Sequence, residues 1–272
     1  MIIKYVNHNG QEVDLNKEPY KLLVSDLLDY EWEPVTVSNN ITGFGYGVRE
    51  KKLNIDVHRT KTDGARANMN TLTEIFEMDI LDGIPGRLYI DSQYMMCYIK
   101  SSEKDNWETD QIIQCEYGII TDFPFWITEE KTSFEKYNGS GNNLYLNYPY
   151  NFPHNYTSMQ KGFSKLRNEH YASAHFHMTI YGPTVNPTII IGGHTYVVNT
   201  IVEENEYLEI DSRKRTVIRM IVDGTKVNEF NNRGQRIFER IPPGELTVNW
   251  SGEFGFDIIL YYERSEPKWI QG

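Results

Sequence analysis

His170, His175 and His177 are the residues whose types and spacing come nearest to a metal-binding set, since the last two stand two apart on a strand-like run and share a face. No cysteine or acidic residue has diagnostic spacing beside them, so they read as strand histidines and no metal is assigned. Gly43-Phe44-Gly45-Tyr46-Gly47 imitates a phosphate-cradling loop. It carries no Lys-Ser/Thr pair and leads into a strand, not a helix N-terminus, and so reads as a flexible bend. Ser140, between Gly139 and Gly141, has no base placed by a recognisable motif, and no Gly-x-Ser-x-Gly elbow occurs. Glu203, Glu204, Glu206, Glu209 and Asp211 could supply the paired carboxylates of a glycosidase only if a cleft brought two of them together. Carboxylates at strand ends are usually solvated. With no catalytic constellation and no motif for a bound group, the reading is of a non-enzyme without a cofactor.

Composition narrows the partners. The chain has 272 residues and a net charge of −11, which argues against gripping a phosphate backbone, because that work needs clustered Lys and Arg. Arg213-Lys214-Arg215 is the one basic cluster and reads as a solvated hairpin tip. The N-terminal Met1–Val6 segment is too short and too soon polar for a signal peptide, and no apolar run approaches a membrane span, which predicts synthesis in the cytosol. Cys97 and Cys115 lie on strand-like runs and are expected to be reduced, buried small hydrophobes. Nineteen tyrosines suit either surfaces that are apolar and wet together, as at interfaces and sugar-binding faces, or the rims of ordinary sheets.

The elements that must position these residues are mostly strands. From His175 to Trp269, eight or nine short strand-like runs follow one another without a helical period, a β-sandwich pattern. Gly192-Gly193 and Asp223-Gly224 are expected to be tight hairpin turns. Leu246, Val248 and Trp250, then Phe256, Ile258 and Leu260, alternate with polar neighbours and should face inward. Residues 1–133 form a mostly β unit with strands near Lys21–Leu23, Thr36–Val37, Lys52–His58, Gly86–Ile90, Tyr94–Lys100 and Gln111–Ile120. One helix is expected from Asp63 to Leu81, capped by Thr62 or Asp63 and stopped by Gly83 and Pro85. Its stripe of Ala65, Met69, Leu72, Ile75, Phe76 and Asp79 is either a core face or a contact with another subunit. Residues 134–156, rich in turn formers and aromatics, read as a linker, and 157–272 as the second domain.

Taken in order, several of these pieces resemble the distal tail proteins of long-tailed phages and prophages of Gram-positive bacteria. The N-terminal part of the resemblance runs from Gly43 to Ile90, including Gly83-Ile84-Pro85-Gly86-Arg87-Leu88-Tyr89-Ile90, and closes with Tyr117-Gly118-Ile119-Ile120 and Phe123-Pro124-Phe125-Trp126. The C-terminal part is carried by Tyr181-Gly182-Pro183-Thr184-Val185-Asn186-Pro187, Ile210-Asp211-Ser212, Ile241-Pro242-Pro243-Gly244 and Arg264-Ser265-Glu266-Pro267-Lys268-Trp269.

The resemblance implies a mainly β chain. Its N-terminal belt domain would be a β-sandwich with one α-helix and a β-hairpin, and its C-terminal domain a galectin-like β-sandwich, with the last residues able to return to the first domain. It further implies a virion tail-tip or baseplate hub, made in the bacterial cytoplasm, that forms a homo-hexameric ring. Such a ring joins the tail tube protein to a tail-associated lysin or spike and, in many relatives, to receptor-binding proteins, while DNA passes the lumen without tight binding. A tailocin-like particle would use the same fold. The ring interface would then draw on the helix at Asp63, Met69, Leu72 and Phe76. The alternative from a different class is a carbohydrate-binding module for host cell-wall glycans that stacks sugars on Tyr196, Tyr207, Trp250 or Tyr261.

Overall fold

The computed structural model describes residues 2–105, 107–137 and 163–269, and divides into two compact units: 1–128 with 263–272, and 129–262. The chain is mainly β. Most of the linker expected at 134–156, and with it Ser140, lies outside the described residues. No described helix is long and apolar enough to cross a membrane.

In the first unit the order is β1 (Ile3–Val6), β2 (Glu12–Asp14), β3 (Tyr20–Ser25), β4 (Glu33–Val37), β5 (Asn40–Gly45), β6 (Arg49–His58), α1 (Ala65–Asp82), β7 (Gly86–Ile90), β8 (Gln93–Asp105), β9 (Ile112–Thr121) and the start of β10 (Trp126–Phe134). All pairings are antiparallel: β1 lies between β2 and β7, β7 pairs with the first half of β8, and the second half of β8 pairs with β9, which continues to β6 and β3. The long β8 therefore serves two neighbours in succession, passing from β7 to β9 between Cys97 and Tyr98, with a register irregularity inside the second pairing between Ile99 and Ser101. Burial alternates along β6, β7 and β9, as one-sided packing requires.

Helix α1 covers this sheet. It buries Ala65, Met69, Leu72, Ile75 and Phe76, and packs on β6, β8 and β9. Phe76 sits edge-on to both Tyr5 and Tyr117, with ring centroids 5.0 and 5.2 Å away. The helix begins two residues later than the sequence suggests, and neither Thr62 nor Asp63 caps it. Gly64 is the N-cap without a side-chain bond, and Asp110 Oδ1, from the β8–β9 loop, accepts the Arg66 N–H at 2.9 Å. A carboxylate distant in sequence thus replaces the local cap. At the other end Gly83 (φ 65°) terminates the helix as expected.

The last turn of α1 carries the fully buried Asp79. Its Oδ2 accepts the Tyr5 hydroxyl at 2.6 Å, and its Oδ1 accepts the His8 N–H at 2.9 Å and bonds His8 Nδ1 at 2.6 Å. Burial, reinforced by Cys97 and Asp79, pushes the Tyr5 phenol far above its ordinary value, so it remains a donor. Gly86 is required opposite this pair, because a Cβ there would meet Asp79 Oδ2 and the Tyr5 hydroxyl, each at 2.3 Å. Cys97 and Cys115 are buried free thiols, and burial raises Cys97 to about 12. In the returning C-terminal segment, Gln93 Nε2 donates to the Lys268 carbonyl at 3.0 Å and Lys268 N–H donates to Gln93 Oε1 at 2.7 Å.

The second unit holds the remainder of β10, then β11 (Phe163–Asn168), β12 (His175–Tyr181), β13 (Thr184–Val185), β14 (Thr188–Ile191), β15 (His194–Val197), β16 (Ile201–Val202), β17 (Tyr207–Asp211), β18 (Thr216–Met220), β19 (Lys226–Asn228), β20 (Gly244–Trp250) and β21 (Phe256–Arg264). One layer runs β19-β18-β17-β12-β21-β10 and the other β11-β20-β14-β15. Phe176, Met178, Ile180, Phe256, Ile258 and Leu260 of the first layer share one buried cluster with Ile189, Ile191 and Val248 of the second. Gly192 and Gly193, at φ 56° and 86°, form the two-residue turn expected. Asp223-Gly224 does not: Ile221 and Thr225 close a longer loop, in which the Gly224 N–H bonds the Ile221 carbonyl and Gly224 alone is left-handed, at φ 85°. A type I turn followed by a left-handed residue needs one glycine where a primed two-residue turn needs two permissive residues.

Asp79→Ala should leave the Tyr5 hydroxyl and the His8 amide without a buried acceptor. The expected cost is about 3 kcal/mol of stability, read as a lowered urea midpoint with an unchanged slope.

Candidate functional site

The hairpin of β4 and β5 carries a concentration of exposed apolar side chains in the first unit. Ser38 and Asn39, at φ 49° and 68°, make its two-residue turn, with Val37 paired to Asn40. Gly43–Gly47, read from sequence as a flexible bend, instead begins inside β5: Gly43 and Gly45 belong to a paired strand, and Gly47 follows it. The hairpin forms a two-stranded sheet of its own. Such a ribbon is marginal alone and ordinarily hides one face. Here it hides neither: Val35, Val37, Ile41 and Phe44 are 51 to 62% exposed.

At the root of the hairpin the aromatics close on one another. Tyr46 meets Phe125 edge-on at 4.8 Å and Phe123 at 5.8 Å, and Trp32 meets Phe125 at 5.6 Å. Trp32, Tyr46 and Phe125 border a cavity of about 420 Å³ lined also by Asp26, Asp29, Glu31, Arg49 and Lys51. Arg49 fastens the base of the ribbon, with Nη1 at 3.1 Å from Glu33 Oε1 and Nη2 donating to the Glu31 carbonyl at 3.2 Å. Its buried Nε finds no acceptor among the described residues. Lys51 Nζ donates to the carbonyls of Asp26 and Asp29, and burial lowers its pKa.

Met69, Leu72 and Phe76, expected at a ring interface, are 6, 0 and 3% exposed within the core of their own unit. The apolar stripe of α1 is thus the core face, the other of its two sequence readings, because the sheet of the same unit already covers it. Asp63 is exposed but precedes the helix. Other exposed apolar surface is available to a self-contact in this unit, foremost Val35, Val37, Ile41 and Phe44. No local sign marks these residues as exposed, since Val35-Thr36-Val37 alternates as a half-buried strand does.

The four residues proposed for sugar stacking are scattered. Tyr196 is buried, donating its hydroxyl to the Glu239 carbonyl at 2.9 Å. Trp250 is half-buried against the core and donates Nε1–H to the Phe254 carbonyl at 3.0 Å. Tyr207 and Tyr261 are half-buried on different strands, the latter beneath the Arg213 guanidinium at 5.1 Å. The acidic residues are engaged too: Arg219 bridges Glu206 at 2.9 Å and Glu229 at 3.0 Å.

The histidines also resolve into separate environments. His170 is buried and stacks on Tyr262 at 5.3 Å, whereas His177 lies 3.8 Å from carboxylate oxygens of both Glu209 and Asp211. His175 Nδ1 is 3.1 Å from Ser212 Oγ. Among the described residues no group of three or more His, Cys, Asp or Glu is gathered for a metal. Burial, then the charges of Arg240 and Arg213, lower His175 to about 4 against the opposing pull of Asp211.

That depression fixes a pH response. Protonation of His175 favours the unfolded chain, so its contribution is intact above about 6.5 and is lost progressively as pH falls toward 4. His175→Phe should flatten the fall in melting temperature across that window, in melts recorded at half-unit pH steps.

No protein-family model matches the chain, and no curated protein matches it in sequence. Solved structures do. The Dit protein of phage SPP1, presented as a paradigm of the hub adsorption apparatus in phages infecting Gram-positive bacteria, aligns with a TM-score of 0.60 at 10% identity, over 97% of this chain and 100% of that one. A chain of the phage P2 baseplate in its activated conformation with Ca gives 0.60 at 14% identity, over 98% and 99%. The same baseplate with Sr gives 0.61, with the same identity and coverage. What is shared at these identities is the fold, over nearly the full length of both chains.

Proposed function

We propose that this protein is a structural hub at the tip of a phage tail, a non-enzymatic virion component that closes into a hexameric ring through its N-terminal unit. The observation that carries the reading is the end-to-end agreement of fold with a hub protein and with baseplate chains, spanning both units and leaving little of either chain unmatched. The exposed β4–β5 hairpin supports it. Ring closure needs a heterologous self-contact, and an apolar ribbon without an intramolecular partner is the kind of surface such a contact buries.

Charge supports it as well. The N-terminal unit has 14 Lys and Arg against 23 Asp and Glu, whereas the second has 13 against 15, so the acidic excess is concentrated in the unit that would form the ring. An acidic annulus lets a phosphate backbone pass without holding it. In this role the partners are other copies of the chain, the tail tube protein, a tail-associated lysin or spike and, through the second unit, receptor-binding proteins. Synthesis in the cytoplasm of a bacterial host and residence at the virion tail tip follow from the same reading.

Light scattering of the full chain over a concentration series, with negative-stain images, tests the proposal. The expected outcome is an annular species of six times the 31.8 kDa chain mass. A monomer at every concentration, unchanged by added tail tube protein, would overturn it. The double substitution Val37→Asp and Phe44→Asp should keep the melting temperature within a few degrees, because both side chains are exposed, while abolishing the large species.

A further inference from the structure

In the second unit, cations from two separate segments converge on one exposed corner. The turn joining β17 to β18 is rigidly held: Asp211 Oδ1 accepts the N–H groups of Arg213 and Lys214, both at 2.9 Å, and Ser212 Oγ accepts the Phe176 N–H at 2.7 Å. Arg240 reaches the same corner from elsewhere in the chain. The paired bonds between Ala174 and Ile241, 2.8 and 3.0 Å, set Arg240 beside the start of β12.

The convergence has an internal witness. Arg240, Arg213 and Arg215 all oppose a positive charge on His175, and Asp211 is the acid that acts against them. Arg215 and Arg240 are exposed and make no side-chain hydrogen bond or ion pair among the described residues. Arg215 also stands at φ 53°, a left-handed conformation that glycine or asparagine adopts more cheaply than a long side chain. An arginine at such a position, closing a fixed turn directly before β18, puts its guanidinium where a shorter residue would serve the backbone as well.

We propose that Arg213, Arg215 and Arg240 form a site for a phosphate group carried by a small ligand. A carboxylate is satisfied by one bidentate guanidinium, whereas a tetrahedral phosphate offers several oxygen edges and can engage guanidiniums from different directions. The second unit carries no net positive charge, with 13 Lys and Arg against 15 Asp and Glu, so a long polyanion would gain little by extending beyond this corner. The site is open to solvent, so a lone phosphate ion is expected to bind in the millimolar range. The inference is independent of ring formation.

Ligand-observed phosphorus-31 NMR on the full chain, at ionic strength held constant with sodium chloride, tests it. Inorganic phosphate should show saturable line broadening below about 50 mM, with dimethyl phosphate, a singly charged diester, binding more weakly. Arg215→Gly and Arg240→Ala should each weaken the effect about tenfold. The first should fold as well as the parent, since glycine suits that backbone, and equal or higher melting temperature verifies it. No saturable broadening by phosphate, or unchanged affinity in both variants, would overturn the site. Polyphosphate binding far more tightly than inorganic phosphate would overturn the small-ligand assignment in favour of a polymer.

Discussion

A carboxylate with no access to water organises the N-terminal unit. Asp79 sits where the last turn of α1, the first strand and the turn after that strand meet, and it binds one residue from each of the latter two. A buried charge left unpaired costs several kcal/mol, so the helix cannot shift along the sheet without breaking these bonds. With the helix fixed, its apolar stripe is committed to the core, and Gly86 must remain without a side chain to let the pair close.

That commitment determines what is left outside. Once the helix stripe is buried by its own sheet, the β4–β5 hairpin with the aromatics at its root stays exposed, as do Ile80, Leu81 and Ile84 at the helix end. Arg49 and Lys51, tied to backbone carbonyls of the segment before the hairpin, hold its base. The ribbon therefore projects from a fixed point while its own two faces stay uncovered. A rigid base and an unburied blade suit a contact completed by another molecule.

The second unit follows a different logic. Its two layers meet over a core of alternating aliphatic and aromatic residues, and ionisable groups are paired in local networks, such as the buried carboxylates of Glu206 and Glu229 around Arg219. The corner around His175 departs from this pattern, because there cations accumulate beside a histidine that is kept neutral by burial and by them.

The sequence by itself determined the elements and the inward faces: the period-two runs of β20 and β21, the Gly192-Gly193 turn, the helix and its stop at Gly83. These are local, set by side-chain periodicity and by the φ angles that glycine alone takes cheaply. Turn order and motif order also carried the resemblance to tail-tip proteins, whose fold the structure shares. Only the tertiary structure decided which surfaces were spent. Met69, Leu72 and Phe76 look the same in sequence whether they face a sheet of their own unit or a neighbouring subunit, and Tyr196 looks the same whether it is buried or available for stacking. The helix cap from Asp110, the bonds of Asp79 to Tyr5 and His8, and the approach of Arg240, Arg213 and Arg215 to His175 join residues far apart along the chain. No local pattern encodes such pairs, because they exist only once long-range strand pairing has brought those segments together.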